Sequence, residues 1–336
     1  MFQFEVGAGA GQLAAMQVLV TGAFGRLGQE VLRRLVGEGH AAVAFDLPTK
    51  ANRRLAKRFE KDVRIVWGDI RSREDVDAVV NGCGAIIHNA GILAPLTEQK
   101  PDLAHAVNVV GTENLIAAMS AQRQPPRLVY ASTSSVCGPR VPGGPPLTAN
   151  DPALGTDHYT SHKIECERII RESSLPWVIF RIGVSVSAQA KDFSPDIFRL
   201  LFEIDPRTRL EYVHPRDVSL AQMRATLAPD ALGKILMIGG GESCRMTFKD
   251  FYAAIFGASG VGELPAAAYG KRPYYCDWID TTESQAILQF QEHTFDDFIR
   301  EFRHESRWTR PIVRLFSPLI RRYLLQYSDA WQSRNR

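Results

Sequence analysis

A short apolar run, residues 18–21, leads directly into three glycines at a spacing of three, Gly22, Gly25 and Gly28. A helix-compatible segment, residues 29–36, follows at once. This order predicts a buried parallel strand, a tight turn at Gly22, backbone open to a pyrophosphate at Gly25, and close packing of helix on strand at Gly28. Because the unpaired N–H groups at the start of the helix would face phosphate oxygens, the stretch predicts a dinucleotide-binding unit.

Asp46 ends the next apolar run of the chain and stands eighteen residues after Gly28. An acidic residue at about this distance from such a turn hydrogen-bonds the adenosine ribose of a bound dinucleotide. A carboxylate there would repel a 2′-phosphate, so NAD is favoured over NADP as the cofactor. Arg53 and Arg54 follow closely, and they offer either a contact to a 2′-phosphate or a solvated helix face, of which the second is favoured.

Short apolar runs alternate with helix-compatible segments through the first half of the chain. This alternation is typical of an α/β fold with a doubly wound parallel sheet, here of the Rossmann type. Beyond Gly183 the pattern loosens, and short elements such as residues 234–238 and 247–256 indicate a smaller substrate lobe, while parts of residues 210–240 are expected to complete the sheet. Met16 is expected to be the natural start. The predicted organisation is a disordered leader, an NAD-binding domain, a substrate lobe and a helical C-terminal extension, at residues 1–15, 16–183, 184–306 and 307–336.

Composition excludes several classes of protein. Forty basic and thirty-seven acidic residues leave a formal net charge of +3, which gives no reason to expect a nucleic-acid partner. The five cysteines are dispersed without metal-binding spacing, so we expect no metal site and reduced thiols, as in the cytoplasm. No apolar stretch approaches the roughly 20 residues that a membrane-spanning helix needs. The expected partner is a small-molecule substrate.

Tyr159 and Lys163 carry the candidate chemistry. They are four residues apart in a helix-compatible segment and therefore share one helix face. An ammonium group close to a phenol favours the phenolate and lowers the pKa of the tyrosine, which makes it a usable acid/base near neutral pH. A cluster of hydroxyl residues, 132–135, ends the preceding strand and would hold a substrate oxygen while a nicotinamide takes or gives a hydride.

At these residues the chain resembles the extended short-chain dehydrogenases/reductases, the NAD-dependent epimerase/dehydratase group. The matching pieces occur in the family's order across roughly residues 16–290. They are Thr21-Gly22-x-x-Gly25-x-x-Gly28, Asp46, Gly68-Asp69-Ile70, His88-x-Ala90-Gly91, Asn108-Val109-x-Gly111-Thr112-x-Asn114-Leu115, Thr133-x-x-Val136-x-Gly138, Tyr159-x-x-x-Lys163 and His214-x-x-Asp217-Val218.

The resemblance implies which residues bind NAD. Asp46 would bind the adenosine ribose, and Ala90 would lie near the nicotinamide ribose. Asp69 and Ile70 would lie beside the adenine. The full set of implied cofactor contacts is Gly22, Phe24, Gly25, Arg26, Leu27, Asp46, Asp69, Ile70, Ala90, Tyr159 and Lys163.

The resemblance also implies the catalytic roles and the assembly. Tyr159 would be the acid/base, Lys163 its activator and a ribose ligand, and Thr133 the catalytic hydroxyl. Family members often pair through their long fourth and fifth helices, so a homodimer is expected.

Three functions remain open at this point. The leading one is an NAD-dependent oxidoreductase that interconverts an alcohol and a carbonyl on a small molecule. An NAD-retaining sugar or nucleotide-sugar epimerase or dehydratase is the alternative, although residues 183–187 replace the Asn-x-Tyr-Gly-Pro of sugar-nucleotide members. A non-catalytic dinucleotide-sensing regulator is disfavoured by the Tyr/Lys pair. Ile92, Leu93 and Leu96 border the predicted site and hint at a partly apolar substrate.

Two further segments carry predictions. The Pro/Gly-rich stretch at residues 138–146 is long enough for a substrate lid. In residues 307–336, apolar residues recur near helical spacing among arginines, which is compatible with packing on the protein's own domain or dimer mate, with an anionic membrane surface, or with another partner. The first of these is favoured.

Overall fold

The structure is a computed structural model that describes residues 16–140, 143–186 and 195–334. The predicted leader at residues 1–15, two residues of the predicted lid and the last residue of the 183–187 run lie outside this part of the chain.

Seven parallel strands form the central sheet, and two short antiparallel strands form a second one. The order in the large sheet is β3-β2-β1-β4-β5-β6-β8, so the direction of winding reverses between β1 and β4. A crevice opens at such a reversal, outside the carboxyl ends of the strands. The predicted doubly wound parallel sheet is confirmed. The strands are β1 (Gln17–Thr21), β2 (Ala41–Asp46), β3 (Val63–Trp67), β4 (Ala85–His88), β5 (Arg127–Thr133), β6 (Trp177–Ile182), β7 (Arg209–Glu211), β8 (Lys234–Ile238) and β9 (Arg245–Thr247).

Helices cover both faces of the large sheet and build the rest of the molecule. Where the sequence predicts one helix over residues 101–122, the structure has two α-helices joined by a π-helical segment, Ala106–Val110. The α-helices are α1 (Arg26–Gly37), α2 (Lys50–Ala56), α3 (Arg73–Val80), α4 (Leu96–Gln99), α5 (Pro101–His105), α6 (Gly111–Ser120), α7 (His158–Glu172), α8 (Pro195–Glu203), α9 (Pro215–Ala225), α10 (Phe248–Ser259), α11 (Thr282–Leu288), α12 (Phe295–Glu305), α13 (Arg310–Leu315), α14 (Ser317–Leu325) and α15 (Asp329–Arg334).

Side chains of the central strands alternate between two hydrophobic cores. In β1, Val18 and Val20 join the core under α1 and α9, whereas Leu19 joins the core under α3, α6 and α7. Because both faces are covered, these strands read as continuous apolar runs rather than as alternating patterns. The sheet is therefore buried on both sides, and its carboxyl edge is left for function.

A third core, rich in aromatic rings, lies in the smaller lobe, where Tyr212 and Phe298 pack with their ring centroids 5.0 Å apart. Strands β7 and β9 and helices α10 and α12 supply most of this core. Residues 234–238 form β8, which pairs with β6 at the edge of the large sheet. They therefore lie in the sheet, as expected for parts of residues 210–240, and not in the lobe. The boundaries between the predicted segments stay predictions.

The C-terminal helices pack one face on the lobe. Leu324 of α14 is buried in the lobe core, the Arg321 Nε donates to the carbonyl of Val261 at 2.7 Å, and the Ser328 Oγ donates to the carbonyl of Ala268. Among the described residues, no helix is both long enough and apolar enough to cross a membrane.

Candidate active site

The glycine turn has the geometry that its sequence predicts. Gly22 has φ +63°, and a Cβ there would lie 2.7 Å from the Cα of Ala90. A Cβ on Gly28 would lie 2.3 Å from the carbonyl oxygen of Gly22, because α1 packs directly on the turn. Around Gly25, the N-cap of α1, only the Gly22 carbonyl comes close, and the first turn of α1 carries no acidic side chain. The N–H groups at this helix end therefore fit a diphosphate.

Asp46 is held at the end of β2 with its carboxylate directed at the turn. It accepts hydrogen bonds from the backbone N–H of Phe24 at 2.8 Å and of Leu47 at 2.8 Å, and from the Asn52 side chain at 3.1 Å. Burial raises the pKa of Asp46, and the two backbone donors oppose this rise. Asn52 was missed at the sequence level, although its place in the first turn of the helix after β2 was the available signal.

Most of the predicted cofactor contacts surround one cavity of about 370 Å³ at the carboxyl edge of the sheet. Of these contacts, Arg26 borders a separate groove on the other side of Phe24, and Leu27 packs against the core. Asp69 is engaged by the Arg71 side chain at 2.9 Å, which lowers the pKa of that carboxyl. The predicted contacts that line the cavity are Gly22, Phe24, Gly25, Asp46, Asp69, Ile70 and Ala90.

A buried hydrogen-bond chain connects this cavity to the helices behind it. The Thr112 hydroxyl donates to the carbonyl of Asn108, so its oxygen is left to accept from His88 Nε2–H at 3.1 Å. His88 Nδ1 then carries no proton and accepts from the Thr21 hydroxyl at 2.6 Å. The Thr21 oxygen in turn accepts from the N–H of Ala90. Burial, with a smaller effect of the Lys163 charge, lowers the pKa of His88 to about 3. His88 is thus a neutral, fully partnered histidine that ties the glycine turn to the next strand end, as favoured from the sequence.

The π-helical segment places Asn108 against the loop that follows β4. The Asn108 side chain accepts from the N–H of Ile92 at 2.7 Å and donates to its carbonyl at 3.0 Å. An extra residue in one helical turn rotates the side chains that follow it, and such segments are frequent at functional sites. The loop that borders the cavity is therefore fixed by two hydrogen bonds from one amide.

Tyr159 and Lys163 lie in the first turns of α7, which begins at a capping box formed by Asp157 and Thr160. Lys163 Nζ donates to the carbonyl of Ala131 at 2.6 Å and lies 4.6 Å from the ring centroid of Tyr130. Burial lowers the pKa of Lys163 to about 8. The lysine is therefore held against the end of β5 by its own contacts.

The Tyr159 side chain is half-buried. Burial of the phenol raises the pKa of Tyr159 to about 12, and a hydrogen bond with Thr133 opposes this rise. The lowering of the Tyr159 pKa by Lys163 that the sequence predicts is not found, because burial outweighs the other influences and Lys163 is turned to the Ala131 carbonyl. Within the hydroxyl cluster, Ser132 donates instead to Glu167 at 2.5 Å. Thr133 is the cluster member that the structure brings to Tyr159.

A buried ion pair joins α7, the helix that carries Tyr159, to the neighbouring strand β6. Arg181 of β6 contacts Glu167 of α7 with an Nη2–Oε2 distance of 2.9 Å, and both side chains are about 95% buried. Arg181 Nη1 also donates to the carbonyls of Ala149 and Asp151. The pair therefore joins β6, α7 and the segment before α7, and no pattern in the sequence indicated it.

One group of potential metal ligands occurs in the described residues, formed by Asp217, Glu292 and His293. Both oxygens of Asp217 are already used, one by the His293 Nδ1 at 2.5 Å and the other by the N–H groups of Glu292 and His293. This arrangement joins α9 to the segment before α12 and explains why an aspartate stands there.

The profile of the NAD dependent epimerase/dehydratase family matches residues 18–200, which is more than half of the chain. The chain therefore belongs to this family, and the recognition of an enzyme family from the sequence is confirmed. The site described above lies almost entirely within the matched residues.

Individual relatives and one solved structure agree with this assignment. Rat (Rattus norvegicus) 3 beta-hydroxysteroid dehydrogenase type 7 is 31% identical over 175 residues, which cover 50% of this chain and 51% of the relative. A 2-alkyl-3-oxoalkanoate reductase from Stenotrophomonas maltophilia is 29% identical over 77% of this chain and 80% of its own. UDP-glucuronic acid 4-epimerase from Bacillus cereus, solved with UDP-glucuronic acid and NAD, superposes with a TM-score of 0.73 at 18% identity, covering 88% of this chain and 100% of the epimerase. The chain thus spans about half the length of the steroid dehydrogenase that it matches.

Proposed function

We propose that this protein is an NAD-dependent oxidoreductase that interconverts a secondary alcohol and a ketone on a predominantly apolar small molecule. The observation that carries the proposal is the pairing of Tyr159 with Thr133, one helical turn before Lys163. The Lys163 Nζ lies close to Gly91 of the cavity lining, since a Cβ on that glycine would be 4.0 Å from it. The named relatives support it, since one is a steroid dehydrogenase and another reduces an alkylated oxoalkanoate.

The roles of the side chains follow from their geometry. When bound, the nicotinamide accepts or supplies the hydride. Thr133 would hold the substrate oxygen. The Tyr159 phenol, which its raised pKa keeps protonated, would donate its proton to the ketone oxygen during reduction. During oxidation it would take the alcohol proton as the phenolate, which the positive charge of a bound oxidised nicotinamide would favour. Lys163 would bring its charge to the same end of β5. Its hydrogen bond to the Ala131 carbonyl holds the ammonium group there.

The rim of the site supports an apolar substrate. Leu93 lies just before α4, and Leu96 is the first residue of that helix. Helix α4 contacts the start of α7 because Glu98 accepts from the N–H of His158 at 3.1 Å. Leu154 comes three residues before the α7 N-cap. All three leucines are exposed, by 60%, 40% and 52%. Exposed leucines around a catalytic group match a substrate that buries apolar surface.

The arginines that could meet a nucleotide-sugar diphosphate are instead paired within the chain. Arg207 contacts Asp205, Arg209 contacts Asp277 at 2.6 Å, and Arg216 contacts Glu301. This supports the oxidoreductase over the epimerase, although the epimerase fold covers the chain as well.

NAD is proposed over NADP. The Asp46 carboxylate sits at the cavity, and Asn52 adds no positive charge. Arg71 also lines the cavity, but its guanidinium is paired with Asp69. Arg53 donates to the carbonyl of Pro48 and lies 5.2 Å from the Trp67 ring centroid. A 2′-phosphate would therefore meet the Asp46 carboxylate, while these two arginines are engaged within the chain.

The assembly and location are proposals of the same kind. We propose a homodimer paired through the long helices, α6 and α7, a contact that the family resemblance implies and that light scattering would test. We propose the cytoplasm because all five cysteines are buried and unpaired, which is typical of a reducing compartment.

The test of the mechanism is Tyr159→Phe. With NAD and a panel of 3β-hydroxysteroids and 2-alkyl-3-hydroxyalkanoates, the wild-type protein should produce NADH, followed by its absorbance. The variant should lose turnover by about a hundredfold or more, since the acid/base is removed, while its NAD affinity measured by calorimetry stays nearly unchanged. Tyr323→Phe, which removes an exposed hydroxyl from the C-terminal helices, is the matched control. Full activity in Tyr159→Phe would overturn the assigned role.

A second measurement separates this proposal from the alternatives. The purified protein is denatured and any released nucleotide is identified by mass spectrometry. An empty site that binds added NAD reversibly supports a dehydrogenase, whereas near-stoichiometric NAD supports an epimerase or dehydratase that recycles it. NAD binding without turnover of any alcohol or carbonyl would support the sensing regulator.

A further inference from the structure

Helices α13 and α14 present an apolar surface that the fold leaves uncovered. Its side chains are between 48% and 78% exposed. Trp308 precedes α13 and Phe316 joins the two helices, where hydrogen bonds from the Phe316 N–H to the Ile312 carbonyl and from the Ile320 N–H to the Phe316 carbonyl keep the backbone close to helical. Spacings of three, four and one therefore place the side chains on one face of a run about 24 Å long at about 1.5 Å per residue. We call this surface the exposed stripe, and it consists of Trp308, Ile312, Leu315, Phe316, Leu319 and Tyr323.

The exposed stripe is not the face that holds the tail on the protein. Val313, Ile320 and Leu324 occupy the neighbouring face and pack against the aromatic core of the lobe. The tail thus has two apolar faces, and only one of them is used by the chain itself. A contiguous exposed patch of six large apolar side chains on a folded protein marks an interaction site.

The charge around the stripe is of one sign. Residues 306–328 contain five arginines and no acidic residue. Arg307, Arg314 and Arg322 are exposed and recur seven and eight residues apart, so they follow one edge of the stripe. Long arginine side chains at the edge of an apolar face can keep their charge in the head-group region while the face is buried.

From these observations we propose that the exposed stripe docks the protein in-plane on an anionic lipid bilayer. Tryptophan and tyrosine at the two ends of the stripe match the preference of these rings for the head-group level, and the leucines and phenylalanine between them would enter the acyl boundary. The arginine edge complements anionic head groups. A second copy is a poorer occupant, because a two-fold contact would bring the same five arginines of each copy together.

The position of the stripe gives the docking a consequence for the lobe. Tyr327, just beyond α14, stacks with Phe198 of α8 at a centroid distance of 6.3 Å. Helix α8 belongs to the lobe, since its Phe202 lies in the lobe core. Docking through the stripe therefore holds the lobe side of the protein toward the bilayer. This inference does not depend on the proposed reaction.

The test is flotation of the purified protein with vesicles. With equal parts of phosphatidylglycerol and phosphatidylcholine the protein should float, with phosphatidylcholine alone it should stay at the bottom, and added salt should weaken the binding. The double variants Leu315→Ser with Leu319→Ser, and Arg314→Gln with Arg322→Gln, should each lower binding about tenfold or more. All four side chains are exposed, so thermal unfolding should be unchanged.

The matched control is Leu232→Ser with Arg123→Gln, which removes one exposed leucine and one exposed arginine outside the tail and should bind like wild type. A wild-type protein that stays unbound with anionic vesicles overturns the proposal. Stripe variants that bind as well as wild type also overturn it. A stripe-dependent change of oligomeric state in light scattering would assign the surface to a second copy instead.

Discussion

The carboxylate of Asp46 combines a structural and a binding role. It accepts from two backbone N–H groups and from Asn52, and it borders the cavity. These three hydrogen bonds hold the acid in place and leave about one acceptor site for a ribose hydroxyl, since a carboxylate has about four. The side chain is thus pre-positioned before any cofactor arrives.

Replacing this acid should change cofactor preference. Asp46→Ala is expected to weaken NAD binding about ten- to a hundredfold, because charge-assisted hydrogen bonds to the ribose are lost, and to bring the NAD and NADP affinities closer together. Calorimetric titration with both cofactors measures this ratio. Asp46→Asn, which keeps an acceptor for the Phe24 N–H, separates the charge from the local fold, and Asp62→Ala is an exposed-acid control. An unchanged ratio in both Asp46 variants would mean that another group binds the ribose.

His88, like His214, is a buried histidine whose lowered pKa makes the folded state less stable in acid. Its pKa is about 3 in the folded protein against 6.5 in the unfolded chain. Between these values the unfolded state binds more protons, so the unfolding free energy contributed by this group falls as the pH is lowered below about 6.5. The hydrogen-bond chain through Thr21 and Thr112 explains why the folded state keeps the ring neutral.

His88→Gln should therefore be less acid-sensitive than the wild type. Urea titrations from pH ~7 to pH ~4 should show the stability difference between the two proteins shrink by up to about 3 kcal/mol. His304→Gln, at an exposed histidine of α12, should leave the wild-type pH profile unchanged. Parallel pH profiles for His88→Gln and the wild type would contradict this account.

At the residue level, the residues that line the cavity could be predicted from the sequence, whereas the pKa values of the catalytic groups could not. Gly22, Gly25 and Asp46 were predicted from their spacing and Ala90 from the family resemblance, and all four line the cavity because backbone conformation and strand order decide where they lie. The high pKa of Tyr159 and the Arg181–Glu167 pair arise from burial and from contacts between distant elements, which no local pattern encodes.

Helix α1 illustrates how one glycine sets the position of an entire element. A Cβ on Gly28 would come within 2.3 Å of the Gly22 carbonyl, whereas a Cβ on Gly37, at the other end of the same helix, would meet nothing within 4 Å. The first glycine lets the helix approach the turn, and the second has no packing role.

The two glycines should therefore respond oppositely to the same substitution. Gly28→Ala should lower the free energy of unfolding by about 1–3 kcal/mol, because α1 must move away from the turn. Gly37→Ala should raise it by up to about 1 kcal/mol through helix propensity and a less flexible unfolded chain. Chemical denaturation measures both. Equal effects at the two positions would mean that Gly28 is not a packing glycine.

Element types were predictable and element details were not. The strands of the sheet and the helices that cover it are predicted by apolar runs and by the turn residues between them. The π-helical turn at Ala106–Val110 has no local sequence signal. It is accounted for by the two hydrogen bonds between Asn108 and Ile92, which form only after β4 and the helix are assembled. The place of β8 likewise depends on a distant element, because β8 is part of the sheet only through its pairing with β6.

For the whole molecule, the tail is joined to the lobe by a few side chains. Leu324 is 4% exposed in the lobe core, while Leu319, on the same helix, is 66% exposed in the exposed stripe. The two leucines therefore report separately on the docked and the uncovered faces of α14.

Alanine at these positions should distinguish the two faces. Leu324→Ala should lower the free energy of unfolding by about 2–5 kcal/mol, because a buried side chain is truncated and a cavity remains. Leu319→Ala should change it by less than about 0.5 kcal/mol. Urea unfolding of the full chain gives both values. A large loss at Leu319 would mean that the stripe is already covered within the protein.

The return of the chain to its sheet at β8 has a consequence for biosynthesis. After β6 the polypeptide passes through the lobe and helix α9 and pairs with the sheet again only at Lys234–Ile238, so a nascent chain with β6 already in place still carries a bare edge strand. Unpaired edges recruit other strands. During translation this protein therefore passes through an interval in which the unpaired edge of its large sheet can bind strands of other chains. A ribosome-bound or truncated product ending near residue 200 would need a chaperone to stay monomeric.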